Sequence, residues 1–381
     1  MSVPRTANYW PTEQQALILR AALSPPEPAM TAWLSLRERL DLDSIDPASQ
    51  RLLPLLERSL KRLGVEDPML ARCKGIHRYH WSRNQVLFHR GGALLAALAA
   101  AGVETLLLKG AALVTRYYGD PGLRPMNDFD VAVPAAAAVE AVAVLERSGW
   151  SPAYRITPSF RRVKHAALFE DRAGRHCDLH WRILEESSQP ADDEDLWSAS
   201  DEIEFLGQRT RILSPADQLL HVCVHGARWA PEAGIRWIAD AMLIIAAGGI
   251  DWLRLADGAG KRRFVLRMRE SLEFLRTAFG APIPEAVVAD LRARPATRLE
   301  HLERRILSRE HRLLGQLPVY WCHHLRAHDG VPLPAAVATF ARYLQHAWGL
   351  EALREVPRNA LARAVRRLGG RRLRQPGAEA R

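Results

Sequence analysis

Between Asn127 and Val133 the chain reads NDFDVAV, and this short segment constrains the fold more than any other. Side chains alternate between faces along a strand, so Asp128 and Asp130 share one face, with Cα atoms about 6–7 Å apart, and Phe129, Val131 and Val133 share the other. A strand with one apolar face must lay that face on a core, which places the segment in a sheet packed on at least one side. Two carboxylates held side by side repel each other unless a cation lies between them. Oxygen donors suit a hard divalent ion, and Mg²⁺ takes a few carboxylates together with substrate phosphates.

The pattern around this segment alternates strand and helix. Val103–Leu108 is strand-like, and Gly110–Tyr118 reads as a short helix ended by Gly119. Asp120–Pro125 (DPGLRP) has turn chemistry, and Asp128–Val133 is a second strand. Ala135–Ser148 reads as a helix closed by Gly149, and strand-like Val163–Glu170 and Arg175–Ile183 are joined by the turn DRAG. In RHCDLHWRI, Asp178 shares a face with His176, His180 and Arg182, whereas Cys177, Leu179 and Trp181 face the other way. Asp178 is placed to be the third carboxylate of a two-metal site, or the base for an attacking hydroxyl. His180 reads either as a partner that orients Asp178 or as a satisfied strand histidine. At Leu106-Leu107-Leu108-Lys109-Gly110 a strand turns into a helix. Gly110 lets backbone approach a triphosphate, the helix N-terminus favours its charge, and Lys109 adds a point charge there. Arg124 reads as a clamp on a phosphate or nucleobase, or as a salt bridge that orders its loop.

The stretch LLLKGAALVTRYYGDPGLRPMNDFDVAV resembles the opening motif of the DNA polymerase β-type nucleotidyltransferase superfamily. That motif is a glycine turn after a strand, then an acid–hydrophobic–acid pair on the next strand. With CDLHW downstream, the chain is most similar to a bacterial family described as uncharacterised nucleotidyltransferases. The family's Lys-Gly, Arg-Pro, Asp-x-Asp and Asp-Leu-His-Trp fall on Lys109-Gly110, Arg124-Pro125, Asp128/Asp130 and Asp178-Leu179-His180-Trp181. The likeness covers about Val103 to Ile183 and extends weakly into SPADQLLHVCVHGARW and RWIAD. The wider superfamily usually has Gly-Ser or Gly-Gly at the turn; here it is Lys109-Gly110, so a serine contact to the phosphates is missing. The resemblance implies a metal-dependent enzyme that moves a nucleoside monophosphate from an NTP to a hydroxyl-type acceptor and releases pyrophosphate. Two ions, Mg²⁺ or Mn²⁺, would sit on Asp128, Asp130 and Asp178, and Lys109, Gly110 and Arg124 would bind the NTP. The acceptor class stays open among a small molecule, a peptide or protein, and RNA. Two other readings stand beside this one: a toxin-like enzyme that nucleotidylates tRNA, and a catalytically silent nucleotide-binding scaffold.

The flanks read as helical. Asp46-Pro47 is a helix start, followed by Leu52, Leu53, Leu56, Leu60 and Leu63 at helical spacing. Pro68–Ala101 reads as one long helix or two shorter ones, and Ser214-Pro215-Ala216-Asp217 is a capping sequence. The expected architecture is α+β. A small mixed β-sheet nucleotidyltransferase core (102–206) is flanked by an N-terminal helical region (1–101) and a C-terminal helical domain (207–352), and a basic Arg-rich tail (353–381) follows. Of the formal charge of +10, residues 354–381 hold nine arginines against two glutamates, a net +7, which leaves +3 for the rest. The high pI is therefore no evidence that the whole chain binds nucleic acid. The tail itself reads as a solvated helix, a contact for RNA or another polyanion, or a membrane-surface segment. The four cysteines form no C-x-x-C pair, the N-terminus lacks an apolar targeting core, and the longest apolar run, Gly91–Val103, is shorter than the ~20 residues of a membrane span. These features point to a cytoplasmic protein with no membrane span. His221 and His225 are one helical turn apart but lack the glutamate of a zinc-protease motif, and Cys322, His323, His324 and His328 lack a suitably spaced partner pair, so both sets read as packing residues.

Overall fold

The computed structural model describes residues 10–186, 191–229, 234–309, 314–328 and 331–368. Two compact units emerge, each assembled from separated stretches of chain. One contains Arg90–Leu108, Asn127–Ile212 and Arg305–Arg381, and the other Met1–His89, Lys109–Met126 and Leu213–Arg304.

The first unit carries one seven-stranded mixed sheet, as the α+β expectation requires. Its strands are β1 (Leu106–Leu107), β2 (Asp128–Ala132), β3 (Trp150–Pro152), β4 (Ala166–Asp171), β5 (His176–His180), β6 (Asp201–Phe205) and β7 (Gln208–Ile212), in the order β3-β4-β5-β2-β1-β7-β6. β2 runs parallel to β5 and β1 parallel to β7, and the remaining pairs are antiparallel. Phe129 and Val131 of β2 and Cys177 and Leu179 of β5 are all buried, so the apolar face predicted from alternation is the face that packs. The helix Ala138–Arg147 links β2 to β3 and closes at Gly149, whose φ of +84° suits glycine alone among common residues.

Three differences from the sequence reading have physical causes. The strand expected over Val163–Glu170 begins only at Ala166, because Pro158–Val163 forms a helix whose cap, Thr157, accepts from the Phe160 amide at 3.0 Å. β3 has three residues and includes Pro152, so it offers too little pattern to detect; it sits at an edge, where proline is tolerated. β6 and β7 form a hairpin turning at Leu206-Gly207, with φ of +48° and +78°. β7 pairs with β1, which carries the sheet to Ile212 rather than ending the α/β core at 206. Alternation in DEIEF and QRTRI is carried mostly by charged residues, so it did not read as a strand with an apolar face.

The second unit is built of helices. Thr12 and Gln15 form a capping box at the start of Glu13–Leu23, and Asp46 caps Pro47–Gln50 through the Ala48 and Ser49 amides. Leu52, Leu53, Leu56 and Leu60 are completely buried on or beside the helix Leu53–Arg62. Met69–Ala100 is a single helix of 32 residues whose last part, from Arg90, belongs to the sheet unit, and Gly102 stops it with φ +69°. Ser214 caps Pro215–Gly226. No helix among the described residues is long and apolar enough to cross a membrane. Near the C-terminus, in the sheet unit, Glu355–Leu368 is helical, and its Val356 packs with Tyr343, Leu344 and Ala347. The end of the arginine-rich tail, 369–381, lies outside the described residues.

Candidate functional site

β2 and β5 lie side by side in parallel, in a register that sets Asp128 opposite His176, Asp130 opposite Asp178 and Ala132 opposite His180. Residues paired across adjacent strands stand at the same pleat level and project to the same face. Asp130 is 1% exposed, whereas Asp128 and Asp178 are half-buried. One ligand atom each from Asp130, Asp178 and His180 falls within 4.8 Å of the others. Asp128 shares their face one pleat period earlier and stands outside that close group. Backbone bonds fix the strands: Leu108 donates to the Asp130 carbonyl at 3.1 Å and Val133 to the His180 carbonyl at 2.9 Å. His180 Nε2 donates to Asp130 Oδ1 at 3.1 Å, and the His165 ring lies 5.2 Å from the His180 ring. Trp181, next in the chain, turns away and donates its indole N–H to the Lys164 carbonyl at 2.7 Å.

The chemistry of this donor set fits a divalent cation. Two carboxylates occupy in-register positions, one of them shut away from water, and a cation between them would offset their mutual repulsion. Cys177 lies between His176 and Asp178 but on the packed face. Burial, together with the Asp178 and Asp130 charges, pushes its thiol far above the usual range, so it stays protonated and is not a nucleophile.

The residues expected to bind nucleotide have distinct structural settings. Lys109 follows β1 directly and opens the helix Lys109–Leu113 with φ +44°, a left-handed conformation that glycine adopts freely and lysine does not. The superfamily usually has its first turn glycine here, so Lys109 holds a strained backbone in place of a relaxed one. Strain of this kind persists only where the surroundings over-determine it. Gly110 is buried, and a Cβ there would lie 2.3 Å from Met126 Sδ and 3.0 Å from Arg124 Nη1. Close packing of the helix start against the loop 124–126 therefore requires glycine independently of any phosphate.

Arg124 is 5% exposed and grips Asp240 with two bonds, Nε to Oδ1 at 2.8 Å and Nη2 to Oδ2 at 2.9 Å. The Tyr118 hydroxyl donates to the same Oδ1 at 2.6 Å, and Arg236 donates to the Pro125 carbonyl at 2.6 Å. Burial alone would raise the Asp240 carboxyl, but the charge and hydrogen bonds of Arg124, followed by Arg236 and the Tyr118 hydroxyl, hold it below its ordinary value. Burial lowers the Arg236 guanidinium to about 10, with Arg124 adding to the effect. The rest of the loop is equally tied. Asp120 accepts from the Gly122 amide and from His77 Nε2, both at 2.8 Å, and the Asn84 amide donates to the Pro121 and Arg124 carbonyls. Of these residues, Tyr118, Asn84, Arg236 and Asp240 were not singled out from sequence. A signal for two of them was present in RWIADAMLIIAA, where an acid and an arginine four residues apart interrupt an apolar helix.

His221 and His225 stack with ring centroids 5.9 Å apart, and His324 is fully buried with Nε2 on the Ala336 carbonyl at 2.8 Å. Among the described residues, the group with metal-holding geometry is Asp130, Asp178 and His180.

No curated protein gives a significant sequence match. Among solved structures, the chain is similar to the antibiotic-resistance factor ANT(2'')-Ia, with 17% identity, a TM-score of 0.36, and coverage of 51% of this chain and 96% of that one. It is also similar to an antigenic nucleotidyltransferase-like protein from Paracoccidioides brasiliensis, with 17% identity, a TM-score of 0.36, and coverage of 54% and 95%. The family described as "uncharacterised nucleotidyltransferase" matches residues 48–280, a span that takes in the sheet, the three aspartates and the Arg124–Asp240 pair. The chain belongs to this nucleotidyltransferase family.

Proposed function

We propose that the protein transfers a nucleoside monophosphate from an NTP to a hydroxyl-bearing acceptor through a divalent-metal site on β2 and β5. The observation that carries this reading is the in-register pairing of Asp130 with Asp178, their ligand atoms converging with that of His180. Asp130 and Asp178 would hold the buried side of the site, and Asp128 the more open side. Bound Mg²⁺ or Mn²⁺, one ion or two, would neutralise the triphosphate and the charge that develops on it during transfer. Asp178, partly exposed, is the residue to take the proton from the acceptor hydroxyl. The acceptor oxygen then bonds to the α-phosphorus, the bond from that phosphorus to the bridging oxygen breaks, and pyrophosphate leaves. Lys109 and Gly110 are assigned to the triphosphate. Arg124 is committed to Asp240, so its contribution to nucleotide binding is best read as ordering the loop before β2. A silent scaffold would have no need to keep two adjacent carboxylates beside a buried histidine.

The test is direct. The full chain is incubated with each α-labelled NTP and cell extract, with Mg²⁺, with Mn²⁺ and with chelator, and the labelled product is located. Metal-dependent label on a small molecule, a peptide or an RNA supports the proposal and names the acceptor class; label on tRNA selects the toxin-like branch. Nucleotide that binds but yields neither labelled product nor pyrophosphate under any condition would leave only the scaffold.

Lys109 gives a second test. Lys109→Gly relieves a left-handed penalty of about 1–2 kcal/mol but adds unfolded-state freedom worth about 0.4–1 kcal/mol, so the variant should be at least as stable as the wild type, by up to about 1.6 kcal/mol. Its KM for the NTP should rise because a cation is lost. A variant that is more stable with unchanged KM would remove Lys109 from the phosphate site.

The arginine-rich tail is assigned to a polyanionic acceptor, where one exists. Because Val356 is packed, truncation belongs after Leu368 rather than after Ala352. Loss of 369–381 should flatten the salt dependence of RNA binding, by close to one unit of log–log slope per lost phosphate contact, and leave the basal rate unchanged. A fall in the rate of NTP hydrolysis in a folded truncated protein would place the tail in the active site.

A further inference from the structure

His180 is set differently from a histidine that merely fills a strand. It follows Asp178 by two residues on β5, on the same face, and is 1% exposed. Its Nε2 meets Asp130 Oδ1 at 3.1 Å, and the three ligand atoms of Asp130, Asp178 and His180 lie within 4.8 Å of one another. Donors about 2.0–2.2 Å from a common ion stand up to about 4.4 Å from each other, so atoms within 4.8 Å need only a small side-chain adjustment to share one ion. The superfamily resemblance supplies three carboxylates, yet in this chain the third donor of the close group is an imidazole, and Asp128 stands outside it.

We infer that His180 is a direct nitrogen ligand of the ion held by Asp130 and Asp178, and that it biases the site toward Mn²⁺ and against Mg²⁺. This inference rests on the metal-dependent reading above. In the metal-free protein the Nε2 proton bridges to Asp130. An ion held there would take the lone pair of Nε2 on the neutral ring, whose single proton would then sit on Nδ1 instead of Nε2. Mg²⁺ demands oxygen donors and gives up its water reluctantly, whereas imidazole is a common ligand of transition ions. One nitrogen among the buried donors therefore weakens Mg²⁺ relative to Mn²⁺. Mn²⁺ also binds many all-oxygen sites more tightly than Mg²⁺, so the diagnostic quantity is the change in the Mn²⁺/Mg²⁺ affinity ratio when the nitrogen is removed.

The experiment uses the full chain and Mn²⁺ alone. Free Mn²⁺ is followed by electron paramagnetic resonance, Mg²⁺ is added as competitor, and pulsed measurements on the bound ion read its coupling to nitrogen. Wild-type protein is expected to show directly bound ¹⁴N. His180→Asn, which can still donate to Asp130, should lose that coupling, and its Mn²⁺/Mg²⁺ ratio should fall about tenfold or more, the scale on which changes around a metal site act. Bound Mn²⁺ without nitrogen coupling in the wild type, or an unchanged ratio in the variant, overturns the inference and leaves the proposed function standing. Absence of any Mn²⁺ binding to the wild type removes both. Should His180→Asn fail to fold, the wild-type nitrogen coupling decides alone.

Discussion

Asp130→Asn is expected to lower nucleotidyl transfer by at least about 10³-fold, equivalent to about 4 kcal/mol of transition-state stabilisation, while the protein stays folded. The asparagine is nearly isosteric, so no cavity opens in the strand where Asp130 is buried, and its carbonyl still accepts from His180 Nε2. What disappears is one negative ligand. In metal-free protein that loss also removes the repulsion from Asp178, so the unfolding temperature of the variant should equal or exceed that of the wild type. Adding Mn²⁺ should raise the wild-type temperature by the usual mass-action linkage and leave the variant where it was. Pyrophosphate release, circular dichroism and thermal scans with and without metal check all parts of this. Turnover within a few-fold of wild type in a folded variant would place the chemistry away from β2.

The second large effect is on stability. Asp240→Ala should destabilise the helical unit by about 3–5 kcal/mol, the range found when one partner of a buried ion pair is removed. The substitution takes both carboxylate oxygens from the two-bond grip of the buried Arg124 guanidinium and the acceptor from the Tyr118 hydroxyl. It also takes from the half-buried Arg236 nearby the opposing charge that favours its protonated form. Asp240→Asn keeps the shape and one acceptor and should fall between alanine and wild type. The pH dependence has a definite sign. The Asp240 carboxyl is held below its ordinary value in the folded state, so its contribution is complete above the ordinary carboxylate range and fades as pH falls below it. Denaturant midpoints at neutral and acid pH measure this: the gap between wild type and Asp240→Ala should narrow in acid. An alanine variant that unfolds with the wild type would mean the loop is held by Asn84 and Asp120 alone.

The acid pair and its partner strand were legible because strand alternation is a strict rule. Once NDFDVAV and RHCDLHWRI were read as strands, the shared faces of Asp128 with Asp130 and of Asp178 with His180 followed, and the parallel register then brought the two sets together. Helix limits were legible where a cap or a left-handed glycine marked them, at Asp46, Gly149 and Ser214. The hairpin of β6 and β7 was not, because its alternation is mostly charged and its turn is Leu206-Gly207 rather than Asn-Gly. The role of Arg124 was open from sequence because its partner lies 116 residues away, and no local pattern encodes so distant a contact. The strain at Lys109 was equally hidden, since lysine at a turn usually signals nothing about φ.

The order in which the chain delivers its parts has a consequence for synthesis. β1 emerges from the ribosome early, yet β7, its parallel neighbour through Leu106↔Arg211, arrives only after the whole of β2 to β6. Between β1 and β2 the chain leaves the sheet for Lys109–Met126, whose Arg124 waits longer still, for Asp240. A nascent chain halted near residue 206 would therefore expose one edge of β1 and carry Arg124 without Asp240. Fragments cut at that point should be insoluble, and expression of the aspartate-bearing segment alone should fail where the full chain succeeds.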